Sequence, residues 1–174
     1  MPSHDASVDP TSAASATAPA IAAVYLPTIV TIEWRGAWRA ARVVVKQMVA
    51  EQMVVEQMVA GQVVAADRGV VHVITAWNPG DERPTADEND QRNALLHADL
   101  VARGFDPLPA LGSDPASTHA EASWAVMGMS DADACALGAK YGQVAVFRIT
   151  AERQTVLGCF AAWSVSRPVG GGGG

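Results

Sequence analysis

A chain of 174 residues carries one domain comfortably, and 49% hydrophobic against 17% charged residues is enough apolar material for a core. A net charge of −6 gives no support to a phosphate-tracking surface, so nucleic acid is not an expected partner. Two cysteines (Cys135, Cys159) far apart in sequence and four scattered histidines show no metal-ligand spacing, so no metal is expected and the cysteines read as small buried hydrophobes.

Residues 1–22 are rich in Ala, Ser, Thr and Pro, with no basic n-region and no apolar h-region, and read as a disordered lead rather than a signal peptide. No apolar run reaches membrane-spanning length, so neither a membrane partner nor a location outside the cytoplasm is expected. The predicted domain spans 23–166. It opens with the alternating, β-branched Ile29–Trp34, which Arg35-Gly36 turns back into AWRAARVVV as a hairpin.

From Lys46 to Ala65 a five-residue unit recurs four times: KQMVA, EQMVV, EQMVA, GQVVA. Five residues advance a helix by about 140°, so the polar positions go all round and define no single apolar face. Residue propensity favours a helix over a strand, which a five-residue step would flip to its other face, and either way the period makes the segment peripheral to the core. A helix apolar on several sides needs neighbours, on the domain or on a second copy, so a homodimer through the repeat is one expectation.

Val70–Trp77 is nearly all apolar, the mark of a central strand buried on both faces. Thr85 and Glu88 fit a capping box that opens a helix from Ala86 to about Arg103, stopped by Gly104. PLPAL is a short extended piece, GSDPASTHAE a loop and Ala122–Met127 another strand. Ser130 caps a second helix closing at Gly142, with Ala134, Leu137 and Tyr141 inward. VAVFRI and TVLGCFAAW form a terminal hairpin that puts Cys159 in mid-strand, a poor nucleophile; 167–174 is a Gly-rich tail. This order predicts an α+β domain: a mixed β-sheet with two main helices packed on it, plus the repeat.

The conspicuous polar load follows Trp77. Asn78-Pro79-Gly80 ends the strand, and Asn89, Asn93, Leu96 and Leu100 share one helical stripe. The leucines must face the core, which aims both asparagines at the strand-end crevice, where ligands of open α/β sheets bind. Buried amides need partners, so they either fasten the turn or contact a ligand.

TAWNP (Thr75–Pro79), Glu88-Asn89, Glu121-x-Ser123 and GQ-x-A-x-F (Gly142, Gln143, Ala145, Phe147) resemble, in order and spacing, a bacterial family known only as a domain of unknown function, DUF 3293. His119 stands where an aromatic residue is expected. The resemblance implies a small α+β domain and a site location without naming a reaction. Candidate ligand-binding residues are therefore Asn78, Asn89, Glu121, Ser123 and Gln143, for a small polar molecule. No dinucleotide fingerprint, Walker loop or nucleophile elbow occurs, so no cofactor is expected and no catalytic residue is assigned. The alternative is a non-catalytic interaction module using the repeat and exposed tryptophans among Trp34, Trp38, Trp77, Trp124 and Trp163.

Overall fold

The computed structural model describes residues 24–34, 37–40, 69–80, 82–116 and 118–168. The repeat, the N-terminal lead and most of the Gly-rich tail lie outside the described residues. Eight strands form one sheet: β1 (Ile29–Trp34), β2 (Ala37–Ala40), β3 (Val71–Ile74), β4 (Leu108–Ser113), β5 (Ala120–Met127), β6 (Ala145–Ile149), β7 (Arg153–Gly158) and β8 (Ser164–Pro168). Helix α1 (Ala86–Ala102) follows β3, and α2 (Asp131–Lys140) follows β5. The α+β class stands. The sheet itself, in the order β2-β1-β4-β5-β3-β6-β7-β8, is not mixed: every pairing among the described residues is antiparallel.

The central strand is β3, with all four residues buried, flanked by β5 and β6. It is shorter than the apolar run suggested, because Thr75 onward leaves the ladder. Alternation along β3 divides the core in two. Ile74 faces the helices and packs with Leu96 and Leu100 of α1 and Ala134 and Leu137 of α2. Val71 and Val73 face the other way, joining Val30, Ile32, Ala110, Ala125 and Ile149. Both helices therefore cover one face.

The opposite face covers itself by curling. β1 and β7 are five strand spacings apart, roughly 24 Å on a flat sheet. Yet the fully buried Gln154 of β7 donates from Nε2 to the carbonyl of Thr28, one residue before β1, at 3.3 Å. Tyr25 likewise meets the edge of Phe147 on β6, with ring centroids 6.4 Å apart. The Gly112 position on β4 lacks a side chain where Thr28 approaches, which leaves the concave face a hollow.

Local signals account for the helices. Thr85 and Glu88 form the reciprocal capping box, and Gly104 stops α1 at φ 86°. Ser130 caps α2, which ends at Tyr141 and the left-handed Gly142. The buried residues of α1 are Asn89, Asn93, Leu96 and Leu100, the predicted stripe. The β6–β7 hairpin also forms. β8 is an addition to the predicted pattern, and Cys159 lies just past the end of β7 rather than within it.

Candidate functional site

Asn78 is the centre of the turn that leaves β3. Pro79 should push it toward extended geometry, but it sits in the left-handed region at φ 45°, followed by Gly80 at φ 55°. Asparagine is among the few side chains that tolerate this region, at roughly 1–2 kcal/mol. Asn89 holds it there with a reciprocal pair of bonds. The Asn78 amide donates to Asn89 Oδ1 at 2.9 Å, and Asn89 Nδ2 donates to Asn78 Oδ1 at 3.1 Å.

Other elements fasten the same turn. Arg92, one helical turn beyond Glu88, donates from Nε to the Ala76 carbonyl at 3.1 Å and from Nη2 to the Tyr141 carbonyl at 2.9 Å. Gly80 donates its amide to the Gly142 carbonyl at 3.0 Å. Gln143 Nε2 donates to the Trp77 carbonyl at 2.8 Å, and Thr75 Oγ1 to the Ala122 carbonyl at 2.7 Å. Asn93 departs from expectation. Its Oδ1 is buried without a partner among the described residues, and its contribution is a backbone carbonyl that accepts from Trp124 Nε1 at 3.0 Å.

The five candidate residues are thus joined, but in two layers. Asn89 holds Asn78, and Asn78 Nδ2 donates to Glu121 Oε1 at 2.8 Å. Glu121, Ser123 and Gln143 then line a cavity of about 280 Å³ on the concave face, whereas Asn78 and Asn89 do not reach its wall. Antiparallel pairing explains the difference. The strand-end crevice of open α/β sheets is built by parallel strands, and here the hollow lies instead beneath the curl.

The cavity wall has two chemical halves. Val73, Ala145, Phe147, Tyr25 and Pro27 supply apolar surface; Thr75, Glu121, Ser123, Gln143, Asp114 and His119 supply polar groups. His119, exposed at 62%, donates from Nε2 to Glu121 Oε1 at 3.0 Å. Asp114 is bound into its own turn by the Thr118 hydroxyl, which does most to hold its carboxyl below the usual range, and by the amides of Thr118 and His119. Thr75 and Phe147 belonged to the motifs without being singled out, and Tyr25 and Gly112 carry no signal in the sequence.

Among the described residues no cysteine lines this cavity. Cys135 and Cys159, distant in sequence, meet thiol to thiol beside the helix-side core. Burial raises both, Cys159 to about 12, with the neighbouring Cys135 adding to it, so neither is a ready thiolate. Among the described residues no group of three His, Cys, Asp or Glu is placed to hold a metal ion. No helix among them is long and apolar enough to cross a membrane.

Fold and site together define a small α+β domain: a curled antiparallel sheet, two helices on its convex face and a cavity on its concave one. A family model described as "Protein of unknown function (DUF3293)" matches residues 74–146, which supports the resemblance read from the motifs. That stretch runs from the end of β3 through α1, β4, β5 and α2 into β6, and contains all five candidate residues. No curated protein and no solved structure matches the chain.

Proposed function

We propose that the protein binds a small molecule in the concave cavity, with Glu121, Ser123 and Gln143 as the polar contacts and Asn78 and Asn89 as the fastening that positions Glu121. The observation that carries this reading is the convergence of several distant parts of the chain on one hollow. Glu121 and Ser123 come from β5 and Gln143 from the α2–β6 junction, while β3, β6 and the segment before β1 supply apolar walls. A half-apolar concavity with a few converging polar groups is the usual form of a small-ligand site, and this volume suits a small ligand.

The alternative, an interaction module with a tryptophan surface, has less behind it. Trp77, Trp124 and Trp163 are half-buried, and Trp124 is tied to Asn93 and packed on His97 at 4.4 Å between centroids. The repeat lies outside the described residues.

Gly112 provides the test. Among the described residues a Cβ there meets only Thr28 Cγ2 at 3.6 Å, an ordinary contact, so Gly112→Ala should fold normally while Gly112→Met fills the hollow. Small neutral, anionic and cationic fragments are titrated into the full chain and followed by amide NMR. The expected result is shifts at Val73, Ser123, Ala145 and Phe147 that survive Gly112→Ala and vanish in Gly112→Met. Fragments that bind elsewhere, or shifts indifferent to Gly112→Met, would overturn the reading.

A further inference from the structure

We infer that the cavity selects a small organic cation, an amine or amidine that donates hydrogen bonds from its charged end and buries an apolar body. This rests on the cavity's being the binding site.

The inference comes from which polar groups on the inner wall are already engaged. Thr75 Oγ1 donates to the Ala122 carbonyl and accepts from the Trp77 amide at 3.0 Å. Ser123 Oγ donates to the Glu121 carbonyl at 3.2 Å. Gln143 uses its Nε2 on the Trp77 carbonyl, which also fixes which end of its amide is oxygen. Both hydroxyl donors are occupied and Gln143 has spent one of its two N–H groups, so the free valences of these three side chains are mainly acceptors.

Gln143 is only 6% exposed, lines the cavity, and its Oε1 has no hydrogen-bond donor among the described residues. That oxygen opens onto the cavity and is not among the buried unsatisfied atoms, so a donating ligand takes the place of water there. Ser123 retains its lone pairs. Glu121 receives both Asn78 and His119 on Oε1, so Oε2 is open to a further donor. The Ser113 hydroxyl can donate or accept and does not discriminate.

Charge points the same way. Among the described lining residues the carboxylates are Asp114 and Glu121, and neither Lys nor Arg is present; His119 stands at the exposed rim. An anionic ligand would meet two carboxylates, while a cation would meet an open carboxylate oxygen and two neutral acceptors. The Phe147 and Tyr25 rings complete an apolar compartment suited to a cation's hydrocarbon part. A dry cavity of about 150 Å³ holds benzene, so this one has room for a ring and a polar head.

The test uses three probes of one shape on the full chain: benzylamine, benzyl alcohol and benzoate, each titrated by amide NMR. Benzylamine should bind tightest, with shifts at Ser123, Gln143 and Phe147, and benzoate should not bind. Glu121→Gln keeps size and an acceptor for Asn78 while removing the charge. It should weaken benzylamine by about tenfold or more and benzyl alcohol by much less. Benzoate binding as well as the amine, or benzylamine indifferent to Glu121→Gln, overturns the cation reading. If benzyl alcohol still binds and is lost in Gly112→Met, the cavity site survives that failure. If no probe shifts the cavity residues, both readings fall.

Discussion

Gly142 shows how a single residue couples the strand-end turn to the second helix. At φ 76° it occupies a conformation that side chains resist, and a Cβ built there would lie 2.7 Å from Pro79 Cβ. Gly80 has a similar φ of 55°, but a Cβ there would meet nothing within 4 Å among the described residues. Gly80→Ala therefore pays only the backbone penalty, roughly 1–2 kcal/mol. Gly142→Ala adds the displacement of Pro79 and should lose about 1–3 kcal/mol more. Urea denaturation of the two variants checks this; equal losses would mean that the Gly142–Pro79 contact yields freely. Asn78 is a related case, held left-handed by the Asn89 pair. Asn78→Gly keeps the backbone conformation but drops the bond to Glu121, so it should free that side chain more than it destabilises the fold.

At the scale of elements, α1 and α2 are linked on their outer sides by Asp99, which accepts from Lys140 Nζ and from the Tyr141 hydroxyl at 2.7 Å. Lys140 first, then Tyr141, holds the Asp99 carboxyl below its usual range. A depressed carboxylate adds stability above its unfolded pKa and loses it as pH falls through the folded one. Asp99→Asn should therefore flatten the acid limb of the stability profile, while leaving the difference from wild type largest near neutrality. On the basic side Tyr141 is raised to about 12, by burial first and then by Asp99. Its contribution is complete below its unfolded pKa near 10 and fades between there and about 12. Denaturation curves across pH would show both limbs; an acid limb identical in Asp99→Asn would remove this link from the account.

For the whole molecule, closure depends on contacts between distant parts of the chain. β3 pairs Ile74 with Trp124 on one side and Val73 with Phe147 on the other, and two cores meet at its faces. Local opening should therefore leave β3 for last. Native-state hydrogen exchange is expected to be slowest in Val71–Ile74 and in the facing parts of β5 and β6, and fastest in the edge strands β2 and β8. Exchange as fast in β3 as in β8 would show that the sheet does not open from its edges.

Features decided within a few residues were legible in the sequence. The capping box at Thr85 and Glu88, the stops at Gly104 and Gly142, the Asn89–Leu100 stripe and the hairpins follow from i, i+3 and i+4 spacing and from turn chemistry. So was the pull of Asn89 on the strand-end turn, because a buried amide seeks a partner, whereas Asn93 does not reach that turn. Strand order, antiparallel pairing on both sides of β3, the added β8, the meeting of the cysteines and the cavity were decided by tertiary structure. Each joins residues whose separation along the chain carries no periodicity, as when Gln154 reaches Thr28. The curl that brings those two together also turns Glu121, Ser123 and Gln143 toward a hollow rather than toward the crevice where a parallel sheet would have put them.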